Sequence, residues 1–157
     1  MSQLQELPAT RPFAVDAGAG EHVDFGGALM TFKATAADTG GEVFAMETAL
    51  RQGYSPPLHV HHDDAEAVYV LDGILEIACG GERWCAKAGT FAWLPAGVAH
   101  SFVVVSPEAR VLTVGVPGGL ENFFREAAAP VLDPATLRRF AAEHNIEFVG
   151  PPLAIDG

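Results

Sequence analysis

His59-Val60-His61 followed by Glu66 puts three metal-ligating side chains within eight residues. The segment reads as strand, where successive side chains point to opposite faces, so His59 and His61 share one face while Val60 and His62 take the other. Neutral imidazole and carboxylate are donors that suit a first-row divalent ion. Pro95-Ala96-Gly97-Val98-Ala99-His100 reads as a turn delivering one more histidine at a strand start, His100 falling thirty-nine residues after His61. Glu66 shares strand parity with Val68 and Val70, so its carboxylate can enter a barrel beside two apolar wall residues. The expectation is one metal ion held by His59, His61, Glu66 and His100. Three neutral imidazoles and one carboxylate leave a divalent site with about +1 net charge and one or two open positions on a six-coordinate ion. An open position is what separates a catalytic site from a structural one. His62, on the opposite parity, is expected behind the ligands or on the surface.

The elements that must carry these residues are short. Ala28 to Thr35 and Gly41 to Leu50 read as two strands of a hairpin around the turn Asp38-Thr39-Gly40-Gly41. Pro56 and Pro57 break the pattern and force an extended entry to Leu58–His61. Glu66 to Leu71 is a strand closed by Asp72-Gly73, a hairpin signal, and Ile74–Cys79 pairs with Glu82–Ala86 across Gly80-Gly81. Thr90–Leu94, His100–Val105 and Arg110–Val116 complete about nine or ten short strands with frequent turn signals, the signature of a β-sandwich or barrel. A further short strand is expected around Glu21–Phe25. After Pro117-Gly118-Gly119 the texture changes. Leu120–Ala127 suits a short helix, and Asp133-Pro134 opens a better one, with Asp133 as N-cap and Pro134 at the first helical position. Leu137, Phe140 and Ala141 form an apolar stripe expected to pack on the barrel exterior. The tail from Ile146 to Leu153 reads as an extended segment lying over the domain. The organisation expected is an arm over residues 1–27, an all-β barrel over 28–118, and a C-terminal helical extension over 119–157 packed on the barrel.

Composition narrows the function classes. Half the residues are hydrophobic (49%) and the formal net charge is −11, with no run of three Lys or Arg, so nucleic acid and anionic membrane are poor partners. No apolar run reaches transmembrane length and the first residues lack a basic-then-apolar leader, so a cytoplasmic location is expected. The two cysteines, Cys79 and Cys85, flank the Gly80-Gly81 turn. A two-residue turn sets Cys79 opposite Glu82 and Cys85 opposite Glu76, with the sulfurs on opposite faces, so no disulfide is expected and both read as small buried hydrophobes. His22 reads as a surface histidine, and His144 as a helix-end residue favoured by the dipole.

Two spaced patterns carry a resemblance. The first runs Gly53, five residues, His59-x-His61, four residues, Glu66, six residues, Gly73; the second runs Gly89, five residues, Pro95-x-Gly97, two residues, His100. They resemble the two signature motifs of the cupin superfamily at every position but one, since the asparagine four residues after the last histidine is here Val104. That asparagine is not a metal ligand in the family pattern. What its loss touches is any hydrogen bond it would supply. A looser resemblance, through Asp38-Thr39-Gly40-Gly41, Pro57-Leu58-His59-Val60-His61-His62, Phe123-Phe124-Arg125-Glu126 and Gly150-Pro151-Pro152-Leu153, is to small single-domain cupins of the quercetin-dioxygenase-like kind. The resemblance implies a jelly-roll barrel, often homodimeric, binding one divalent ion through three His and one Glu. Fe, Mn, Co or Ni are the metals expected, and the same donors accept Zn or Cu. The leading expectation is a dioxygenase acting on a small aromatic enol or phenol such as a flavonol, with Glu66 as both ligand and proton acceptor. The alternatives are a metal-dependent polyketide cyclase or isomerase without dioxygen, and a non-catalytic small-molecule-binding barrel. Val68, Val70, Phe91, Trp93 and Phe102 are the expected pocket walls. Phe91 and Trp93 share a face, but their spacing does not say which.

Overall fold

In a computed structural model, residues 10–128 and 132–155 are described. Residues 1–9 of the expected N-terminal arm lie outside them. The strands are β1 (Glu21–Phe25), β2 (Ala28–Ala34), β3 (Phe44–Arg51), β4 (Pro57–His61), β5 (Ala65–Asp72), β6 (Ile74–Cys79), β7 (Glu82–Lys87), β8 (Phe91–Leu94), β9 (His100–Val104), β10 (Glu108–Val116) and β11 (Ile146–Pro152). The helices are α1 (Ala36–Thr39), α2 (Glu121–Ala127) and α3 (Pro134–Glu143). A six-stranded sheet runs β1-β2-β3-β10-β5-β8 and a five-stranded sheet runs β11-β4-β9-β6-β7. The strand pattern implied a sandwich or barrel, and this is the jelly-roll arrangement that the cupin resemblance implied. The two sheets face one another over a core in which Phe44, Val70, Leu75, Ile77 and Val104 are almost wholly buried. Alternation is strict on the inner strands: Phe44, Met46, Thr48 and Leu50 point in from β3, and Glu66, Val68 and Val70 from β5.

The pairings refine the sequence reading in four places. Strand β1 pairs with β2 from Glu21↔Phe32 to Phe25↔Ala28, so the sheet begins before residue 28. Tail residues Ile146–Phe148 pair with His61–His59, which makes the tail an edge strand rather than a covering segment. The loop between β2 and β3 holds α1, because the Thr35 N–H donates to Asp38 Oδ2 at 3.0 Å and Gly40 closes the turn with φ 66°. Asp72-Gly73 is not a hairpin. It carries the chain from one sheet to the other, since β5 and β6 lie in different sheets.

Gly80-Gly81 does form a hairpin, with Cys79 opposite Glu82 and Cys85 opposite Glu76. Both cysteines are free, Cys79 buried as expected, but Cys85 is exposed. Strand β7 is a sheet edge that turns most of its side chains to solvent, so parity alone did not bury Cys85. On α3, Asp133 caps as expected, its Oδ1 accepting from the Thr136 N–H at 3.0 Å. Helix α2 is held by buried Glu121, which accepts from the Ala36 N–H at 2.7 Å and the Gly119 N–H at 2.9 Å. Among the described residues no helix is long and apolar enough to cross a membrane.

Candidate metal centre

The four expected ligands converge. Strand β4 brings His59 and His61 to one face, and His59 is the cross-strand partner of His100 on β9. One ring nitrogen from each of His59, His61 and His100 lies within 4.8 Å of the others. Glu66 arrives from the opposite sheet. Its Oε2 lies 3.1 Å from His100 Nε2 and its Oε1 lies 3.5 Å from His61 Nε2. His61, Glu66 and His100 are buried, and His59 is half-buried. His62 points outward, as its parity required, and pairs with Glu147 at 3.0 Å on the surface. His22 meets Thr31 Oγ1 on the surface, and His144 follows α3 and pairs with Glu126 at 3.0 Å.

Hydrogen bonds at the outer nitrogens decide what the inner ones offer. His59 Nδ1–H donates to the Pro57 carbonyl at 2.7 Å, and His100 Nδ1–H to the Val98 carbonyl at 3.2 Å, because a carbonyl can only accept. In the neutral rings both Nε2 lone pairs are therefore bare and aimed inward. Such a fixed tautomer is what a ligating histidine requires. For His100 the consequence is sharper. A bare Nε2 facing the Glu66 carboxylate at 3.1 Å would set two lone pairs against each other, a contact that either a proton or a metal ion relieves. His61 Nδ1 is buried with no hydrogen-bond partner among the described residues. The donor set fits a divalent transition ion.

Electrostatics follow from burial and mutual charge. Burial lowers His59 to about 4, helped by repulsion from His100 and His61. Burial also lowers His61, against the opposing pull of Glu66. Burial works to lower His100 as well, but the hydrogen bond and charge of Glu66 outweigh it and raise the ring. Burial pushes Glu66 up, yet the charge of His61 and the hydrogen bond from His100 prevail and hold it down at about 2. The carboxylate is thus ionised across the physiological range, available as an anionic donor.

A cavity of about 280 Å³ opens from these four residues between the sheets. Val68 and Phe102 line it, as expected. Val70 faces inward but is fully buried in the core and is not part of the lining. Phe91 and Trp93 do not line it. They are 63% and 50% exposed on the outer face of edge strand β8, whose inward side chains are Ala92 and Leu94. The aromatic walls come instead from Phe123 and Phe124 of α2, Phe148 of β11, and Tyr54, whose hydroxyl is raised to about 12 by burial. Leu137 of α3 also lines the cavity rather than packing on the barrel exterior.

The family model for the Cupin domain matches residues 46–115, which hold all four candidate ligands. Quercetin 2,3-dioxygenase of Bacillus subtilis (strain 168) is 32% identical over 119 residues, 76% of this chain. The chain belongs to the cupin superfamily. The match covers 35% of that relative, so this cupin spans about a third of the curated protein it resembles. Solved cupin-like structures agree on the fold. KdgF from Halomonas sp. superposes with TM-score 0.63 at 19% identity, over 72% of this chain and 99% of that one. An RmlC-like cupin from Shewanella frigidimarina gives 0.62 at 18%, over 71% and 96%.

This cupin departs from the motif at Val104. The Val104 N–H donates to the Tyr54 carbonyl at 3.0 Å, and its own carbonyl accepts from the Gly53 N–H at 2.9 Å. Backbone groups thus tie the first motif's opening glycine to the last residue of β9. The Val104 side chain, fully buried opposite Leu75, packs the core where an amide would need partners.

Proposed function

We propose that this cupin is a metal-dependent dioxygenase acting on a flavonol-like or other aromatic enol or phenol substrate. The observation that carries the reading is the placement of three histidines and an ionised carboxylate at the wall of an apolar, aromatic-lined cavity. Similarity to a quercetin 2,3-dioxygenase over most of the chain supports the substrate class. His59, His61, His100 and Glu66 would hold the ion, and its chemistry when bound is Lewis acidity toward a hydroxyl oxygen. The chain's own contributions are three. The Pro57 and Val98 carbonyls orient the His59 and His100 rings. Glu66, held ionised, accepts the proton of the substrate hydroxyl within hydrogen-bond reach. Phe102, Phe123 and Phe124 stack on or enclose a flat ring system and keep water out.

The test is elemental analysis of the purified protein beside His61→Ala, followed by oxygen uptake with flavonols. About one equivalent of Fe, Mn, Co or Ni, lost in the variant, together with flavonol-dependent oxygen consumption is the expected result. One equivalent of zinc without oxygen uptake would move the protein to metal-assisted enolate chemistry. No metal after reconstitution would remove the reading.

A further inference from the structure

Thr48 sits on the inward face of β3, 4% exposed, between Met46 and Leu50. It lines the cavity, and its Oγ1 is buried with no hydrogen-bond partner among the described residues. A buried hydroxyl left without a partner is destabilising, and buried hydroxyls in folded proteins are nearly always bonded. Its directly opposite neighbours on the sheet cannot relieve it through their side chains. Thr48 pairs with Val111 on β10 and Met30 on β2, both apolar.

Its position relative to the metal centre is set by register. Glu66 is opposite Gly115, which is opposite Phe44; Val70 is opposite Val111, which is opposite Thr48. Thr48 therefore lies four residues along the strand direction from the Glu66 row, about 13 Å at strand spacing. Between the two rows come Val68, Thr113 and Met46, which also line the cavity. The cavity is thus a mostly apolar slot with a ligating carboxylate at one level and an unsatisfied hydroxyl at another.

We propose that Thr48 is a specificity-determining residue that hydrogen-bonds a polar group on the part of the substrate remote from the metal-binding oxygen. The inference rests on the cavity being the substrate site and deepens that reading. It selects elongated, mainly aromatic molecules carrying an oxygen at both ends over equally flat molecules polar at one end only. A hydroxyl both donates and accepts, so a phenol or a carbonyl on the substrate satisfies it.

The test measures binding to the full-length, metal-loaded protein under nitrogen by calorimetry. The probes are a flavonol with hydroxyls at both ends of its long axis and analogues lacking the hydroxyl at one end or the other. The wild type is expected to prefer the fully hydroxylated flavonol over one analogue by roughly 3- to 10-fold, the worth of one hydrogen bond. Thr48→Val should lose that preference while still binding both, and Thr48→Ser should keep it. The thermal midpoint of metal-free Thr48→Val should equal or exceed that of wild type, because an orphaned hydroxyl has been removed. A preference unchanged in Thr48→Val overturns this inference alone. A Thr48→Val protein that melts lower or fails to fold also overturns it, since the hydroxyl would then be bonded within the fold. Failure of every flavonol to bind the wild type overturns the substrate reading and this inference with it.

Discussion

His59 and His100 face one another directly across β4 and β9, their rings 4.5 Å apart, and both turn Nδ1 to a carbonyl two residues back in the chain. The two strands thus present their Nε2 atoms as a pair. His61 joins the pair, its ring stacked 5.3 Å from His100. Packing three imidazoles this closely, two of them buried and His59 half-buried, disfavours the charged form of each.

Metal removal should cost stability. An ion present at a hundred times its dissociation constant stabilises the fold by about 2.7 kcal/mol. For a chain of this size that is roughly 5–10 °C in melting temperature, at about 2–4 °C per kcal/mol. Chelated wild-type protein should melt lower by that amount and recover when metal is restored. His59→Ala should show no response to chelator or metal. A wild-type melting temperature indifferent to both would contradict ligation by this cluster.

The metal-free protein should be most stable near pH 6.5. Below that value an unfolded chain protonates His59 while the folded one, with the ring lowered to about 4 by burial, does not. Stability is therefore lost as pH falls from about 6.5 toward 4, and His61, lowered by burial, adds to the same limb. His100 has the opposite sign. Its folded value is raised chiefly by Glu66, so its contribution is complete below the unfolded value and lost as pH rises above it. Urea unfolding with chelator at pH 5, 6.5 and 8 checks this. A midpoint that rises on going from pH 6.5 to 5 would contradict the assignment of neutral, buried His59 and His61.

The ligands were legible because strand parity is rigid. Positions 59 and 61 must share a face, 66, 68 and 70 must share another, and the register then brings His59 against His100. The pocket walls were less so. Phe91-Ala92-Trp93-Leu94 is apolar on both faces, and small Ala92 with Leu94 took the inside because β8 is a sheet edge whose outer face is free. Phe123 and Phe124 reach the cavity from α2, which packs on the sequence-distant β1, and Leu137 from α3, which packs on β11, placements that helical periodicity does not encode. Glu121 gave no signal at all. Its role as acceptor for the Ala36 N–H exists only once α2 lies against α1.

The motif glycines should differ in what they tolerate. Gly53 and Gly73 both have positive φ, 84° and 87°, a region that costs an L-residue roughly 1–2 kcal/mol. At Gly53 an added Cβ meets nothing within 4 Å, so Gly53→Ala should cost only that backbone term. At Gly73 the same atom would lie 2.7 Å from the backbone Cα of Ala109 and collide with the Glu108 carbonyl, neither of which can step aside. Gly73→Ala should cost at least about 3 kcal/mol, in the range of strained, over-determined backbone. Equal denaturation midpoints for the two variants would refute this account of the β5–β6 corner.

Glu66→Gln separates ligation from proton transfer. The amide keeps one oxygen to face a metal and roughly the same volume, so the variant should fold and retain ion at reduced affinity. It cannot accept a proton, and it removes the anion that raises His100. Loss of a general base typically costs 100- to 10,000-fold in rate. With metal supplied to saturation, kcat on the flavonol that supports oxygen uptake should fall by at least about 100-fold, while KM changes far less. Glu66→Asp, which keeps the charge but shortens the reach, should recover part of the rate. Full turnover in metal-saturated Glu66→Gln would remove Glu66 as the base and leave it a ligand only, with the substrate proton leaving by another route.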